Sequence, residues 1–264
     1  VENGLHLMQP VKLKDEEFVN ELRSLNADLF IVIAFRMLPE VVWAMPRLGT
    51  FNLHASLLPK YRGAAPLNWA VMNGETETGV TTFFLKHEID TGDVIQQKSL
   101  PIGRKDTVET INDGLIMMGA GMVIETVDAI IAGTVKPIPQ SEMLTAGEKP
   151  TPAPKIFKDT CRIDWNWCAE KVYNHVRGLS PYPAAWTEIV DVAGKVYAVK
   201  IFETGEPEAP SANLVPGNLT TDGKRLWVAC ADAKIEILSL QMAGKRRMPT
   251  ADFLRGFNIE GCHC

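Results

Sequence analysis

This 264-residue chain has little that would staple it together or bind it to a membrane. Its five cysteines, at 161, 168, 230, 262 and 264, are odd in number and contain no C-x-x-C pair, which argues against a disulfide framework or a zinc knuckle. Such usage fits a reducing cytoplasm, the expected location. The Cys262-His263-Cys264 ending offers two thiols and an imidazole. On a tail expected to fray they make a weak site, and no metal is expected. No run is read as reaching the roughly 18 apolar residues of a membrane span, and no signal peptide is visible. A basic excess is also lacking. The formal net charge of -5 excludes a globally basic nucleic-acid binder and leaves room for a local basic patch.

What is present is a 46% hydrophobic composition, ample for one sizeable core and a smaller second domain. Residues 15–25 read as a short amphipathic helix with Phe18, Leu22 and Leu25 on one side. LFIVIAF (29–35) has the length and continuous apolar character of a strand buried on both faces. A short helix bounded by prolines (39–46), a strand (50–54) and a helix with Pro66 at its first position (66–74) follow. The β-branched and aromatic segment 79–87 and the segment 93–100 read as further strands. Asp106 and Glu109 have capping-box spacing and open a long helix ending at Gly133. Strands alternating with helices predict an open α/β sheet. The Pro- and Lys-rich stretch after Gly133 reads as a linker. Beyond it, a helix near 167–178 and short strands separated by turn signals predict a small, mostly antiparallel β-barrel. Trp165, Trp167 and Trp186 are read as core or interface anchors.

Three features of the first domain bear on chemistry. Asn52 and His54 sit two apart at a strand's end, so both project to one face. Asp90 lies in the turn Ile89-Asp90-Thr91-Gly92-Asp93 after the next strand. The loop Ser56-Leu57-Leu58-Pro59, followed by Arg62 and Gly63, joins them. Singly, each has a plain structural reading: a satisfied core histidine, an Asx turn, loop punctuation. Together they stand at the carboxyl edge of an open sheet, where ligands bind. An amide and a protonated imidazole there can donate to an oxyanion, and a neighbouring carboxylate orients the ring and helps move a proton. No G-x-S-x-G surrounds Ser56, so direct reaction between two substrates is favoured over a covalent enzyme intermediate.

The segment FNLHASLLPKYRGAAP (51–66), with its N-x-H-x-SLLP-x-x-RG-x-x-P pattern, followed by IDTGD (89–93), resembles the folate-dependent formyltransferases. RIDW (162–165), RGLSPYPAAWTEI (177–189) and LSLQMAGKRRMPTADFLRG (238–256) are similar to the second domain of those members whose acceptor is methionyl-initiator tRNA. The similarity extends over essentially the whole chain. It implies a Rossmann-like, mostly parallel sheet lacking its N-terminal strands over 1–140, a linker over 141–160, and an OB-like tRNA-binding domain over 161–264. It implies 10-formyltetrahydrofolate as formyl donor and co-substrate. Asn52, His54 and Asp90 match the family's catalytic residues. Phe35, Arg36, Met37 and Leu38, with Ile89, Thr91 and Gly92, match its folate pocket. Ser56, Leu57, Leu58, Pro59, Arg62 and Gly63 form the acceptor loop. Lys245, Arg246, Arg247 and Arg255 are the expected RNA contacts of a monomer that needs no membrane. The competing readings are a formyltransferase for an amino-sugar nucleotide or for glycinamide ribonucleotide, a formyl-folate hydrolase, and a non-catalytic RNA-binding relative.

Overall fold

The computed structural model describes residues 4–33, 37–145, 147 and 149–264. In chain order its elements are α1 (Glu16–Ser24), β1 (Phe30–Ile33), α2 (Glu40–Trp43), β2 (Thr50–His54), β3 (Arg62–Gly63), α3 (Pro66–Met72), β4 (Glu77–Phe84), β5 (Val94–Pro101) and α4 (Val108–Ile131). There follow β6 (Pro152–Ala153), α5 (Ala169–Leu179), β7 (Ala185–Val190), β8 (Val196–Thr204), β9 (Leu219–Thr221), β10 (Leu226–Ala229), β11 (Lys234–Met242), β12 (Met248–Pro249) and α6 (Thr250–Gly256). Two compact units interleave along the chain. One comprises Val1–Gly63, Gly79–Ser99 and Leu115–Pro152, the other Ala64–Thr78, Leu100–Gly114 and Ala153–Cys264.

The first unit is built on a four-stranded sheet of order β1-β2-β4-β5. β1 pairs with β2 in parallel, and β2 with β4 antiparallel, Phe51 opposite Phe84 and His54 opposite Thr81. The sheet is therefore mixed, which corrects the expectation of a mostly parallel one. An intervening helix suggests a crossover, but the chain re-enters the sheet at the end where β2 leaves it, so β4 must run back. Phe51 and Phe83 are fully buried at its centre, beside Val32 and Val80. Asp15 caps α1 by accepting from the Phe18 amide at 3.2 Å, and Glu16 and Glu17 complement the helix dipole.

α4 is long and apolar enough, by length and composition, to cross a membrane, contrary to the expectation that no such run exists. The core helix of a folded domain passes the same test. Gly119 shows the packing: a Cβ there would stand 2.8 Å from Leu53 Cδ2, so the glycine lets the helix close on the sheet. Its N-terminal bonds differ by one residue from the expected box. Thr107 and Thr110 exchange amide-to-hydroxyl bonds of 3.0 and 3.4 Å, while Asp106 accepts from the Gly103 amide at 2.7 Å.

The second unit is an antiparallel half-barrel of order β7-β8-β11-β10-β9, with β12 paired to β11. Its core holds Val172, Val176 and Leu179 of α5 with Ile201, Ile235, Ile237 and Leu240 of the strands. Asn68 of α3 ties that helix to α5 by donating to the Gly178 carbonyl at 2.8 Å. Trp165 is buried and donates to Thr187 Oγ1 at 2.9 Å. The cysteine-rich tail is not frayed. His263 exchanges backbone bonds with Val190, and the Cys264 amide donates to the Gly217 carbonyl at 2.9 Å. The tail thus straps β7 to the segment entering β9. Among the described residues no cluster of three metal-ligating side chains occurs.

Candidate active site

β2 is held on both sides, Val32 opposite Asn52 on β1 and Phe83 opposite Asn52 on β4. Its backbone groups are thereby engaged in the ladders, and alternate side chains project together. Asn52 and His54 share that projection and are 4% and 6% exposed. The Asn52 Oδ1 atom is buried with no hydrogen-bond partner. A buried polar atom left unpaired costs about 1–3 kcal/mol, so this acceptor suits a hydrogen-bond donor that the folded chain does not itself supply.

His54 Nε2 lies 2.9 Å from the Tyr61 carbonyl oxygen. A carbonyl only accepts, so Nε2 carries the proton and donates. The other ring nitrogen, Nδ1, faces Asp90 Oδ2 at 3.9 Å. That is beyond a direct hydrogen bond but within ion-pair range. Asp90 is 7% exposed and sits at φ +54°, which turns its side chain inward from the turn after β4. Its Oδ2 accepts the Gly63 amide at 2.9 Å, joining the turn to the loop that contains Ser56 and Arg62.

That loop is fixed from several sides. Ser56 Oγ donates to the Lys60 carbonyl at 2.7 Å. Thr81 Oγ1 donates to the Ser56 carbonyl at 2.6 Å and accepts the Leu58 amide. Gln97 Nε2 donates to the Leu58 carbonyl at 2.7 Å. Leu58 and Pro59 are buried, while Leu57 is half-buried. Arg62 donates from Nε and Nη2 to Gln140 Oε1 at 3.0 and 2.7 Å. Burial pulls its guanidinium below the usual value, against the pull of Asp90 and Glu88. Gln140 in turn donates from Nε2 to the carbonyls of Asp90 and Gly92, at 2.9 and 2.8 Å. Gln140, Thr81 and Gln97 were not singled out from the sequence. Gln140 lies 50 residues from Asp90 and carries no local pattern.

Of the residues expected at the folate pocket, Phe35 and Arg36 lie outside the described residues. Met37 and Ile89 are exposed, and Leu38 is half-buried. Thr91 closes the turn by donating to the Glu88 carbonyl at 3.0 Å. Gly92 is buried for a packing reason. A Cβ on it would stand 1.5 Å from the Phe84 carbonyl oxygen, so the IDTGD turn needs its glycine to close against β4.

In the second unit, Lys245 and Arg246 are exposed beside Gly244, whose φ is +74°. Arg247 is exposed as well but is tethered. Its Nε donates to Ser239 Oγ at 2.8 Å and its guanidinium lies 4.6 Å from the Phe202 ring centroid. Arg255 pairs with Asp252 on α6.

Comparison with known proteins identifies the family. Residues 2–127 match the formyl transferase family, and residues 155–258 match the formyl transferase C-terminal domain. A methionyl-tRNA formyltransferase of Bacteroides fragilis is 62% identical over 260 residues, 98% of this chain and 80% of that protein. One of Porphyromonas gingivalis is 48% identical over 259 residues, again 98% of this chain and 80% of that one. Among solved structures, a variant of HypX from Aquifex aeolicus superposes with a TM-score of 0.65 at 25% identity, over 95% of this chain and 43% of that longer one. HypX has also been solved with tetrahydrofolic acid; that structure shares the fold with a TM-score of 0.61 at 24% identity, over 90% of this chain and 40% of that one. The chain belongs to the formyl transferase family, within its methionyl-tRNA formyltransferase branch.

Proposed function

We propose that this chain transfers a formyl group from 10-formyltetrahydrofolate to the α-amino group of methionyl-initiator tRNA, for translation initiation in the cytoplasm. The single observation that carries the residue assignment is the His54–Asp90 contact at 3.9 Å on the face shared with Asn52, whose Oδ1 is unpartnered. The donor supplies a formyl carbon attached to a nitrogen that can leave. The chain's residues supply the rest. Asn52 Nδ2 donates to the negative charge that develops on the formyl oxygen, and its unpartnered Oδ1 accepts an N–H of the attacking amine. His54 has Nε2 committed to the Tyr61 carbonyl, so Nδ1 is the ring atom that gains or donates a proton. Asp90 faces that atom, balances its charge when protonated and assists removal of the amine proton. Met37, Leu38, Ile89, Thr91 and Gly92, with Phe35 and Arg36, are assigned to the pterin side. Ser56 through Gly63 are assigned to the acceptor side, held there by Thr81, Gln97 and Gln140.

In this reading residues 1–140 form the catalytic domain, 141–160 a linker, and 161–264 an OB-like domain that binds tRNA as part of a monomer. Lys245, Arg246, Arg247 and Arg255 contribute phosphate contacts. The test is transfer of labelled formyl from 10-formyltetrahydrofolate to methionyl-tRNA, with a nucleotide amino sugar as the rival acceptor. Transfer to the sugar and none to the tRNA would refute the proposal.

A further inference from the structure

Between Phe51 and Gly63, Lys60 alone is exposed. The backbone that carries it is fixed on both sides. Its amide donates to the Leu57 carbonyl at 3.1 Å, and its carbonyl accepts from Ser56 Oγ at 2.7 Å. Tyr61, the next residue, is buried at φ +62°. The Tyr61 carbonyl is the group that accepts from His54 Nε2 at 2.9 Å. A second cation lies on this loop, but Arg62 is committed to structure. Its Nε and Nη2 both donate to Gln140 Oε1, and its amide donates to the Thr151 carbonyl at 3.1 Å. Among the described residues the Lys60 ammonium forms no ion pair. The loop thus presents one free positive charge, on an anchored turn, one residue from the carbonyl that orients the imidazole.

We infer that Lys60 is a specificity-determining residue that contacts the phosphodiester next to the aminoacylated terminal nucleotide of the acceptor. The inference rests on the proposed acceptor and names the part of it that this loop reads. The reach agrees. In an aminoacyl-tRNA one ribose and one ester separate that phosphodiester from the reacting amine, a span of about 8–10 Å. Lys60 Cα stands about 3.8 Å from Tyr61 Cα across their peptide bond, and its four-carbon stem carries the charge about 6 Å further. The ammonium can therefore meet the phosphate while the amine stands at Asn52 and His54. The chemistry agrees as well. A compact, rotatable ammonium suits a single phosphate oxygen, which needs a point charge and no bidentate geometry. Such a contact reads no base, so it selects an acceptor with a phosphate at that spacing and is indifferent to sequence.

The test compares three acceptors on the full chain: methionyl-tRNA, the methionyl ester of cytidylyl-adenosine, which keeps that one phosphate, and methionyl-adenosine, which has none. Formyl transfer by wild type, Lys60→Gln and Lys60→Arg is read as kcat/KM, and the urea midpoint reports an intact fold. Lys60→Gln lowers kcat/KM about fivefold for the two acceptors that carry the phosphate, through KM, and leaves methionyl-adenosine within about twofold of wild type. Lys60→Arg keeps the charge and restores most of the loss. For methionyl-tRNA, the slope of log kcat/KM against log salt becomes shallower by about 1 in Lys60→Gln. An equal loss on all three acceptors, or a dinucleotide ester unaffected by Lys60→Gln, overturns the inference. If wild type formylates a nucleotide amino sugar and no methionyl acceptor, the acceptor reading itself fails, and the assignment of Lys60 falls with it.

Discussion

Gln140 is the most testable support of the site, because one side chain serves three partners. Its Nε2 donates to the carbonyls of Asp90 and Gly92, and its Oε1 accepts two bonds from Arg62. The residue is 3% exposed, so water does not readily replace what is lost. Gln140→Leu keeps the volume and leaves two carbonyls and a guanidinium short of a partner. At about 1–3 kcal/mol for each buried group left unpaired, and allowing for relaxation of the turn, the loss of stability is about 3 kcal/mol. If about 2 kcal/mol of this is needed to bring Asp90 back to its bonded position, kcat/KM falls about 30-fold. Gln140→Glu separates the two functions. It retains an acceptor for Arg62 but has no N–H for the two carbonyls. Urea unfolding and steady-state formyl transfer, run on both variants, read the outcome. The glutamate variant is expected to lose activity nearly as far as the leucine variant. Wild-type activity in Gln140→Glu would show that the turn containing Asp90 does not depend on Gln140, and a leucine variant within about 0.5 kcal/mol of wild type would refute the energetics.

Two further predictions concern the fold that supports the site. His175 is buried against Trp167, its Nε2 has no partner, and burial lowers its pKa to about 4. Above pH 6.5 the ring is neutral folded or unfolded. As pH falls from 6.5 towards 4 the unfolded chain takes the proton first, so stability declines over that window, by about 3 kcal/mol in all, and then levels. Urea midpoints from pH 7 to 4 check this, and His175→Phe flattens that part of the profile. Gly92→Ala drives a Cβ into the Phe84 carbonyl oxygen and costs roughly 4 kcal/mol or more, read as loss of soluble expression or a collapsed thermal midpoint.

How much of this was legible beforehand depends on how local each signal is. β2 spans Thr50–His54, the bounds expected from its apolar run, and the two-residue period places Asn52 and His54 on one side without any tertiary knowledge. The turn containing Asp90 was marked by its Gly and Asp residues, although the reason for Gly92 is a contact with Phe84 that no spacing reveals. Strand direction was not legible. Periodicity is the same in parallel and antiparallel strands, and the helix between β2 and β4 suggested a crossover that does not occur. The glycines at 114, 119 and 121 of α4 were expected to allow close packing against the sheet; Gly114 and Gly119 meet Leu100 and Leu53, Gly121 meets nothing within 4 Å, and the helix's apolar length was not recognised. Gln140 sat in a stretch expected to be a linker, and its bonds reach 50 and 78 residues back along the chain. Trp186 was read as a structural anchor; the cations over its ring come from Lys158 and Arg162, which precede it by more than 20 residues. The tail strap is likewise a backbone pairing with β7 that composition does not encode.

The central claim is that the Asn52 amide, the Nδ1 edge of His54 and the Asp90 carboxylate act together on the formyl carbon. The most direct measurement is single-turnover transfer of labelled formyl to methionyl-tRNA by Asn52→Ala, His54→Ala and Asp90→Asn, each with its unfolding midpoint. A fall of about 100-fold or more is expected in each variant with the fold retained. Folded variants that transfer formyl within a few-fold of wild type would contradict it.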